Sequence, residues 1–138
     1  MGRRSMRTTI IMLVSLGGLS TEAGAQSLEV FGYAGVLGEW ELTAAVEPTH
    51  PGDNTFAGPL TMTHVGICTQ TGPDEQRGNI TLELSTSRAQ LDAALTLDNL
   101  PCTFSGKLAE AYSGNLICQD RPQLPLRVWL KGASALPR

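Results

Sequence analysis

Apolar and polar side chains alternate one by one along several segments of this chain, and this pattern limits the fold more than any other feature. Successive side chains of a β-strand point to opposite faces, so such a segment forms a strand with one buried and one solvated face. In the first segment Trp40 and Leu42 would face the core while Glu39 and Glu41 face solvent, and in the last segment the polar face also carries Trp129. The apolar faces of the four clearest segments comprise Trp40, Leu42, Ala44 and Val46; Ile80, Leu82 and Leu84; Leu91, Ala93, Leu95 and Leu97; and Leu124, Leu126, Val128 and Leu130.

Runs of residues that favour turns separate these segments. They occupy residues 47–54, 71–78, 98–101 and 119–122 and are rich in Gly, Pro, Asn and Asp. Short strands at this spacing, with no helical period, indicate an all-β fold. We predict a single six- to eight-stranded antiparallel meander that forms a barrel or a nearly closed barrel, with a sandwich as the alternative. Residues 87–97 are rich in Ala and Leu and would also fit a helix, but their alternation favours a strand.

The N-terminus carries the features of an export signal. Arg3, Arg4 and Arg7 precede a short apolar run over residues 10–19, and an Ala-x-Ala site follows at residues 23–25. A basic region, a short apolar region and a small-residue cleavage site in this order are typical of a secretory signal peptide. We therefore predict a Sec-type bacterial signal peptide over residues 1–25, cleaved after Ala25, and a periplasmic or secreted product.

Cleavage at that point leaves residues 26–138 as one β domain. We expect residues 26–36 to form an N-terminal arm and residues 132–138 to form a flexible tail. The signal contains three arginines and one glutamate, so the net charge changes from −3 to about −5. An acidic surface without basic clusters argues against nucleic acid, because phosphate contacts supply most of that affinity. It also argues against an anionic membrane surface, and we expect no membrane insertion after signal cleavage.

The three cysteines, Cys68, Cys102 and Cys118, all lie in this domain. Cysteines in an oxidising compartment are usually paired. An odd number therefore predicts one disulfide and one thiol that is free or links two chains into a dimer. Residues 102–118 can fold back as a hairpin centred on residues 108–110, which places Cys102 opposite Cys118. We predict this disulfide, with Cys68–Cys118 as the alternative.

A short motif occurs four times: an aromatic residue, Ala or Ser, Gly, any residue, and Leu. Its aromatic, Gly and Leu positions are two apart and would share one strand face. Glycine between two large inward side chains removes bulk where a sheet curves or where a ring packs across it. The favoured interpretation is core architecture, and the alternative is a set of aromatic ligand stackers. The four aromatic residues are Tyr33, Phe56, Phe104 and Tyr112.

His50 and His64 are the two histidines that the chain offers as a general base or a metal ligand. His50 lies in a polar loop. His64 would be about 13 Å along a strand from Cys68, which is too far for both to bind one metal directly. No Gly-x-Ser-x-Gly nucleophile motif occurs, and a Cys-His pair would need a cysteine kept as a thiol. The sequence therefore predicts no enzymatic activity, no metal site and no cofactor.

The segment Leu37-Gly38-Glu39-Trp40 resembles the Gly-x-Trp that opens the first strand of calycin-like β-barrels, such as lipocalins and avidins. It also resembles the start of the small periplasmic inhibitors of secreted bacterial metalloproteases. The resemblance implies a barrel in which Trp40 plugs one end beneath a basic residue of the last strand, here Arg127 or Lys131. It further implies an N-terminal arm that enters the protease cleft. The equivalents of that arm are Gln26, Ser27 and Leu28.

We therefore expect a small exported β-barrel that binds a partner and catalyses no reaction. The partner would be another exported protein, which the domain binds or inhibits. The alternative is a carrier that holds a small apolar ligand in the barrel interior. The candidate binding residues, taking both interpretations together, are Gln26, Ser27, Leu28, Tyr33, Trp40, Phe56, Phe104 and Tyr112.

Overall fold

Eight antiparallel strands make up all the regular secondary structure in the described residues, 27–66 and 72–132, of this computed structural model. The all-β prediction is confirmed, with a strand number at the upper end of the expected range. Residues 87–97 contribute a strand and no helix. The strands are β1 (Leu28–Ala34), β2 (Trp40–Pro48), β3 (Thr55–His64), β4 (Glu75–Leu84), β5 (Gln90–Leu97), β6 (Leu100–Leu108), β7 (Tyr112–Cys118) and β8 (Leu124–Lys131).

The strands follow one another around a closed barrel in chain order, and β1 pairs with both β2 and β8. Closure favours the barrel over the sandwich and leaves no open sheet edge. The expected N-terminal arm over residues 26–36 is wrong for residues 28–34, because these form the closing strand. Leu28 and Val30 are buried in the core and alternate with the outward Glu29 and Phe31. The arm was implied by the resemblance to the protease inhibitors, and the aromatic residues at outward positions of β1 conceal the alternation that indicates a strand.

The inward faces predicted from the alternation are confirmed on β2, β4, β5 and β8, and they meet in one core. An eight-stranded barrel has an interior just wide enough for side chains to fill. Here that filling is mainly leucine, and Leu82, Leu91 and Leu116 are among the largest side chains that are fully buried. The core supplies most of the folding free energy, because burying each such side chain contributes about 1.5–3 kcal/mol.

Three copies of the aromatic-Gly-Leu motif belong to this core, as predicted. Phe56, Phe104 and Tyr112 are buried on β3, β6 and β7. The Phe104 ring lies across a facing glycine pair, Gly106 and Gly114, since a Cβ on Gly106 would be 2.6 Å from Phe104 Cζ and one on Gly114 would be 3.2 Å from Phe104 Cε2. At Gly106 the ring occupies the space that a side chain would take, whereas at Gly114 the nearest atom to an added Cβ would be the backbone carbonyl oxygen of Ser105.

The fourth copy of the motif, at Tyr33, does not point into the core, and the prediction is wrong for it. Tyr33 faces outward on β1, Gly35 has left the strand and adopts a φ of 98°, and Leu37 is exposed in a turn. The motif matches in sequence, but β1 ends at Ala34, so the strand periodicity stops inside it.

The predicted disulfide joins Cys102 to Cys118. The two residues are direct register partners at the far end of the β6–β7 hairpin, with their Cα atoms 4.1 Å apart. The alternative Cys68–Cys118 pairing is therefore wrong. Cys68 itself lies outside the described residues. Because the chain contains three cysteines, Cys68 has no disulfide partner left within its own chain.

Three predictions concern parts of the chain that the structure does not describe. The signal peptide with cleavage after Ala25, the binding role of Gln26 and the tail beyond Gly132 all lie outside the described residues and stay predictions. Within residues 27–66 and 72–132, no helix is long and apolar enough to cross a membrane.

Candidate functional site

The aromatic side chains divide into an interior set and an exposed set. The chain contains seven of them, all within the described residues. Three face solvent, and they lie together on the paired strands β1 and β8: Phe31 is 41% exposed, Tyr33 46% and Trp129 36%. The interior set comprises Trp40, Phe56, Phe104 and Tyr112. Every outward-facing aromatic residue of this protein therefore lies on one side of the barrel.

Contacts between neighbouring side chains hold the exposed rings in place. Phe31 is the register partner of Trp129, and the Tyr33 ring meets the Trp129 ring edge-on at 6.1 Å between centroids. The Arg127 guanidinium carbon lies 5.3 Å from the centroid of the Trp129 ring, within cation–π range. Arg127 also lies 3.9 Å from a carboxylate oxygen of Glu110. Since these contacts already order the rings, little side-chain entropy remains to be lost on binding.

The turn between β1 and β2 extends this apolar surface beyond the strands. Val36 is 85% exposed and Leu37 91%, although both are large aliphatic residues. The Leu37 N–H donates to a carboxylate oxygen of Glu39 at 3.0 Å, and the Gly38 N–H donates to the Gly35 carbonyl at 3.2 Å. Gly35 and Gly38 have φ angles of 98° and 65°, which favour glycine. The turn is therefore held in shape by its own hydrogen bonds while its apolar tip points into solvent.

We call Phe31, Tyr33, Val36, Leu37 and Trp129 together the β1 face. These five account for most of the exposed large hydrophobic side chains in the described residues. Scattered exposed apolar residues are ordinary on soluble proteins, whereas a contiguous patch typically marks an interaction site. The β1 face is the strongest candidate for such a site.

A groove lies beside the β1 face, on the outer surface of β2 and β3. It has a volume of about 340 Å³ and exists because the outward side chains there are small. Thr43 is the register partner of Phe31 on one side and of Thr61 on the other, so Trp129, Phe31, Thr43 and Thr61 form one row across four strands. We call this the β2–β3 groove; its lining includes Glu29, Phe31, Thr43, Ala45, Pro59 and Thr61.

Trp40 lies inside the end of the barrel at which β1, β3, β5 and β7 end and β2, β4, β6 and β8 begin. It begins β2, the second strand, and its ring contacts the His64 ring edge-on at 4.4 Å. The predicted cover by Arg127 or Lys131 is wrong, because both alternate with inward residues of β8 and point outward. The basic residue that lines this end is Arg121, from the β7–β8 connection.

The cavity at the Trp40 end is small. Its volume is about 70 Å³, and its lining includes Trp40, Met62, Gln76, Leu116 and Arg121. Pockets for drug-sized ligands have about 300–1,000 Å³. The Nδ1 atom of the neighbouring His64 is buried and has no hydrogen-bond partner among the described residues. A space of this size has room for a few water molecules and none for a drug-sized ligand.

The interior aromatic residues that were expected to contact a ligand are instead packed within the protein. Phe56 and Phe104 are buried among the core leucines. The Tyr112 hydroxyl donates a 2.7 Å hydrogen bond to the carbonyl oxygen of Arg88 in the β4–β5 turn. Burial raises the pKa of Tyr112 above its ordinary value, and the nearby Arg88 charge offsets part of this rise. Of the expected arm residues, Leu28 is buried in β1 and Ser27 precedes it in an exposed position.

The described residues contain no cluster of side chains that could hold a metal ion. No three His, Cys, Asp or Glu side chains there lie close enough to share a metal ion. His50 lies in the β2–β3 turn, where its Nδ1 is 3.5 Å from a carboxylate oxygen of Asp53, and it is well exposed.

The fold and the β1 face define a closed, eight-stranded, up-and-down antiparallel barrel with a filled interior and an apolar outer surface on one side. No protein family, curated protein or solved structure was found to match the chain. The function is therefore inferred from this surface alone.

Proposed function

We propose that this chain is an exported binding module, and that the β1 face is the surface with which it docks against another exported polypeptide. One observation carries the proposal: all outward aromatic residues are neighbours on β1 and β8, and the two most exposed aliphatic residues lie on the turn that follows β1. Residues that dominate binding energy at protein interfaces are enriched in Trp, Tyr and Arg. Trp129, Tyr33 and Arg127 are such a group, and they are in mutual contact.

The protruding turn replaces the N-terminal arm in this proposal. Leu28 to Ala34 are held in the barrel by β2 and β8, so they are not available to enter a partner's cleft. Val36 and Leu37 are available, since they stand clear of the barrel on a turn with internal hydrogen bonds. Inhibition of an exported enzyme, if it is the purpose of binding, would use this turn.

The carrier alternative receives less support from the geometry. A small apolar ligand inside the barrel would have to displace core side chains such as Leu82 and Leu116, which are almost inaccessible to solvent. The cavity of about 70 Å³ at the Trp40 end gives such a ligand no room without that displacement. A non-catalytic role is likewise part of the proposal, and it rests on the composition of the β1 face.

A photo-crosslinking experiment tests the proposal. Tyr33 is replaced by the photoreactive amino acid p-benzoylphenylalanine in the protein exported by its own cells, and Ala94 is replaced in a control. Ala94 is exposed on β5, four strands from β1 in either direction around the barrel. We expect a discrete crosslinked polypeptide from the Tyr33 position, none from the Ala94 position, and loss of the adduct when Trp129→Ser is added. Equal adducts from the two positions, or none from either, would contradict the proposal.

A further inference from the structure

We infer that the polypeptide that docks on the β1 face is a second copy of this chain, related by a twofold axis that runs along β1. This inference rests on the proposed function, since it names the occupant of the same surface. It follows from three complementarities between the two sides of β1, namely shape, charge and the position of the protruding turn.

The shape argument concerns Trp129 and the β2–β3 groove. Trp129 stands on β8, on one side of β1, and the groove extends from β1 over β2 and β3 on the other side. Both belong to the row that contains Phe31 and Thr43. A twofold axis along β1 exchanges the two sides and keeps each row at the same height. Each Trp129 then faces the groove of the other copy, and a groove of about 340 Å³ is large enough to hold an indole ring.

The charge argument concerns the next row. Tyr33 has Arg127 as its register partner on β8 and Glu41 as its partner on β2. The same axis places Arg127 of each copy opposite Glu41 of the other, so the row forms two intermolecular ion pairs. With an axis perpendicular to the strands, β2 of one copy would instead pack against β2 of the other, and the acidic side chains of the two β2 strands would face each other. Charge complementarity therefore selects one of the two simple twofold arrangements.

The row that contains Glu29 opposes the association, and neighbouring positive charges offset part of this repulsion. The axis brings the two Glu29 carboxylates towards each other. Lys131 is the register partner of Glu29 in each chain, so the order of charges across the interface is Lys–Glu–Glu–Lys and each carboxylate keeps one adjacent cation. At the other end of β1, the two turns that carry Val36 and Leu37 come side by side and extend the apolar contact.

Paired charge reversals test the inference. Arg127→Glu and Glu41→Arg are made separately in protein that also carries Cys68→Ser, so that a disulfide-linked dimer is not counted. Sedimentation equilibrium and native mass spectrometry report the dimer fraction. We expect the parent protein to dimerise, each reversal alone to weaken self-association by about tenfold or more, and an equal mixture of the two variants to form a mixed dimer. In the mixed dimer, the Glu introduced at position 127 of one chain faces the Arg introduced at position 41 of the other, and the unchanged Glu41 faces the unchanged Arg127. Asp92→Arg, at an exposed position on β5, is the matched control and should leave the dimer unchanged.

The outcomes separate this inference from the proposed function. Trp129→Ser should also weaken the dimer by about tenfold, with an unchanged far-ultraviolet circular dichroism spectrum. A chain that stays monomeric while the Tyr33 crosslink yields a different polypeptide overturns the second copy and leaves the binding face standing. A dimer that neither Trp129→Ser nor the charge reversals affect overturns the proposed geometry. Absence of both dimer and crosslink overturns the proposed function as well.

Discussion

We expect the substitution Gly78→Ala to destabilise the barrel far more than the matched substitution Gly106→Ala. Gly78 is an inward position of β4 between Leu60 of β3 and Leu97 of β5. A Cβ at this position would overlap the carbonyl oxygen of Thr96 and lie 2.6 Å from the Thr96 carbonyl carbon. These are backbone atoms of the paired strand, so relief requires β5 to move away from β4.

The loss of unfolding free energy in Gly78→Ala can be estimated from the atoms that must move. Overpacking of a core typically costs about 1–3 kcal/mol. Displacing β5 here also weakens the adjacent backbone hydrogen bond from the Asp98 N–H to the Arg77 carbonyl, 3.0 Å long, and each such bond contributes about 1 kcal/mol. The expected loss of unfolding free energy is therefore about 2–4 kcal/mol, a large share of the roughly 5–15 kcal/mol of a typical domain.

Gly106→Ala is the control because its added methyl group would contact a side chain first, and not the backbone. The nearest atoms to its Cβ would be Phe104 Cζ at 2.6 Å and Cε1 at 2.9 Å, and the nearest backbone atom is the Tyr112 carbonyl carbon at 3.2 Å. A small shift of the Phe104 ring relieves the contact, and alanine lowers the entropy of the unfolded chain by an amount worth about 0.4–1 kcal/mol. We expect a net loss below about 1.5 kcal/mol.

Urea unfolding followed by far-ultraviolet circular dichroism measures both variants. The reasoning predicts a much lower midpoint for Gly78→Ala than for Gly106→Ala, with similar slopes. Equal midpoints for the two variants, or a lower midpoint for Gly106→Ala, would refute this reasoning. A clash with the backbone would then cost no more stability than a clash with a side chain.

Three further predictions concern stability. Replacing Cys102 and Cys118 together by serine should lower the unfolding free energy by about 3 kcal/mol, because the disulfide closes a loop of 16 residues in the unfolded chain; an unchanged urea midpoint would contradict this. Because burial raises the pKa of Tyr112 above 10.0, the unfolded chain loses its phenolic proton first, and stability should fall as the pH rises from about 10 through the folded-state pKa. Tyr112→Phe should abolish that fall in urea titrations at pH 9–12, while costing about 1 kcal/mol at neutral pH through loss of the hydrogen bond to Arg88; an identical fall in the variant would exclude Tyr112 as its source. Deleting residues 28–34 should unfold the domain, since they pair with two strands; a truncated chain that still melts cooperatively would show that β1 is dispensable.

Local patterns were sufficient to predict much of this fold. The period of two residues in a strand is set by backbone geometry, so the faces of β2, β4, β5 and β8 could be assigned wherever acidic or basic residues marked the outward side. The Cys102–Cys118 disulfide was predictable for a similar reason, since hairpin symmetry about residues 108–110 places the two cysteines in register.

The closing strand was not predictable from such patterns. The outward positions of β1 include Phe31 and Tyr33, which are apolar, so the segment shows no contrast between its two faces. Its pairing with β8 joins residues far apart in the chain, and no local signal encodes that contact. The cover of Trp40 by Arg127 or Lys131 rested on the family resemblance alone, whereas the alternation of Arg127 with Leu126 and Val128 already indicates that it points outward.

The candidate site depends on that closure. The outward position of Trp129 could be predicted because it shares a strand face with Arg127 and Lys131, whereas the exposure of Phe31 and Tyr33 could not be predicted. The β1 face exists only because β1 and β8 are neighbours, which brings the aromatic residues of two distant segments together. The exposed tip at Val36 and Leu37 similarly depends on where β1 ends.

Because β1 pairs with β8, the barrel cannot close until the last of its strands is available. Glu29 and Lys131 are register partners about 100 residues apart, and contacts of such sequence separation slow folding. While a chain emerges from its N-terminal end, the strands up to β7 can pair with their predecessors, but β1 keeps an open edge. An unpaired edge that also carries Phe31 and Tyr33 is a template for pairing with another chain. The period before β8 arrives is therefore when a nascent molecule is most prone to associate with another chain through the open edge of β1.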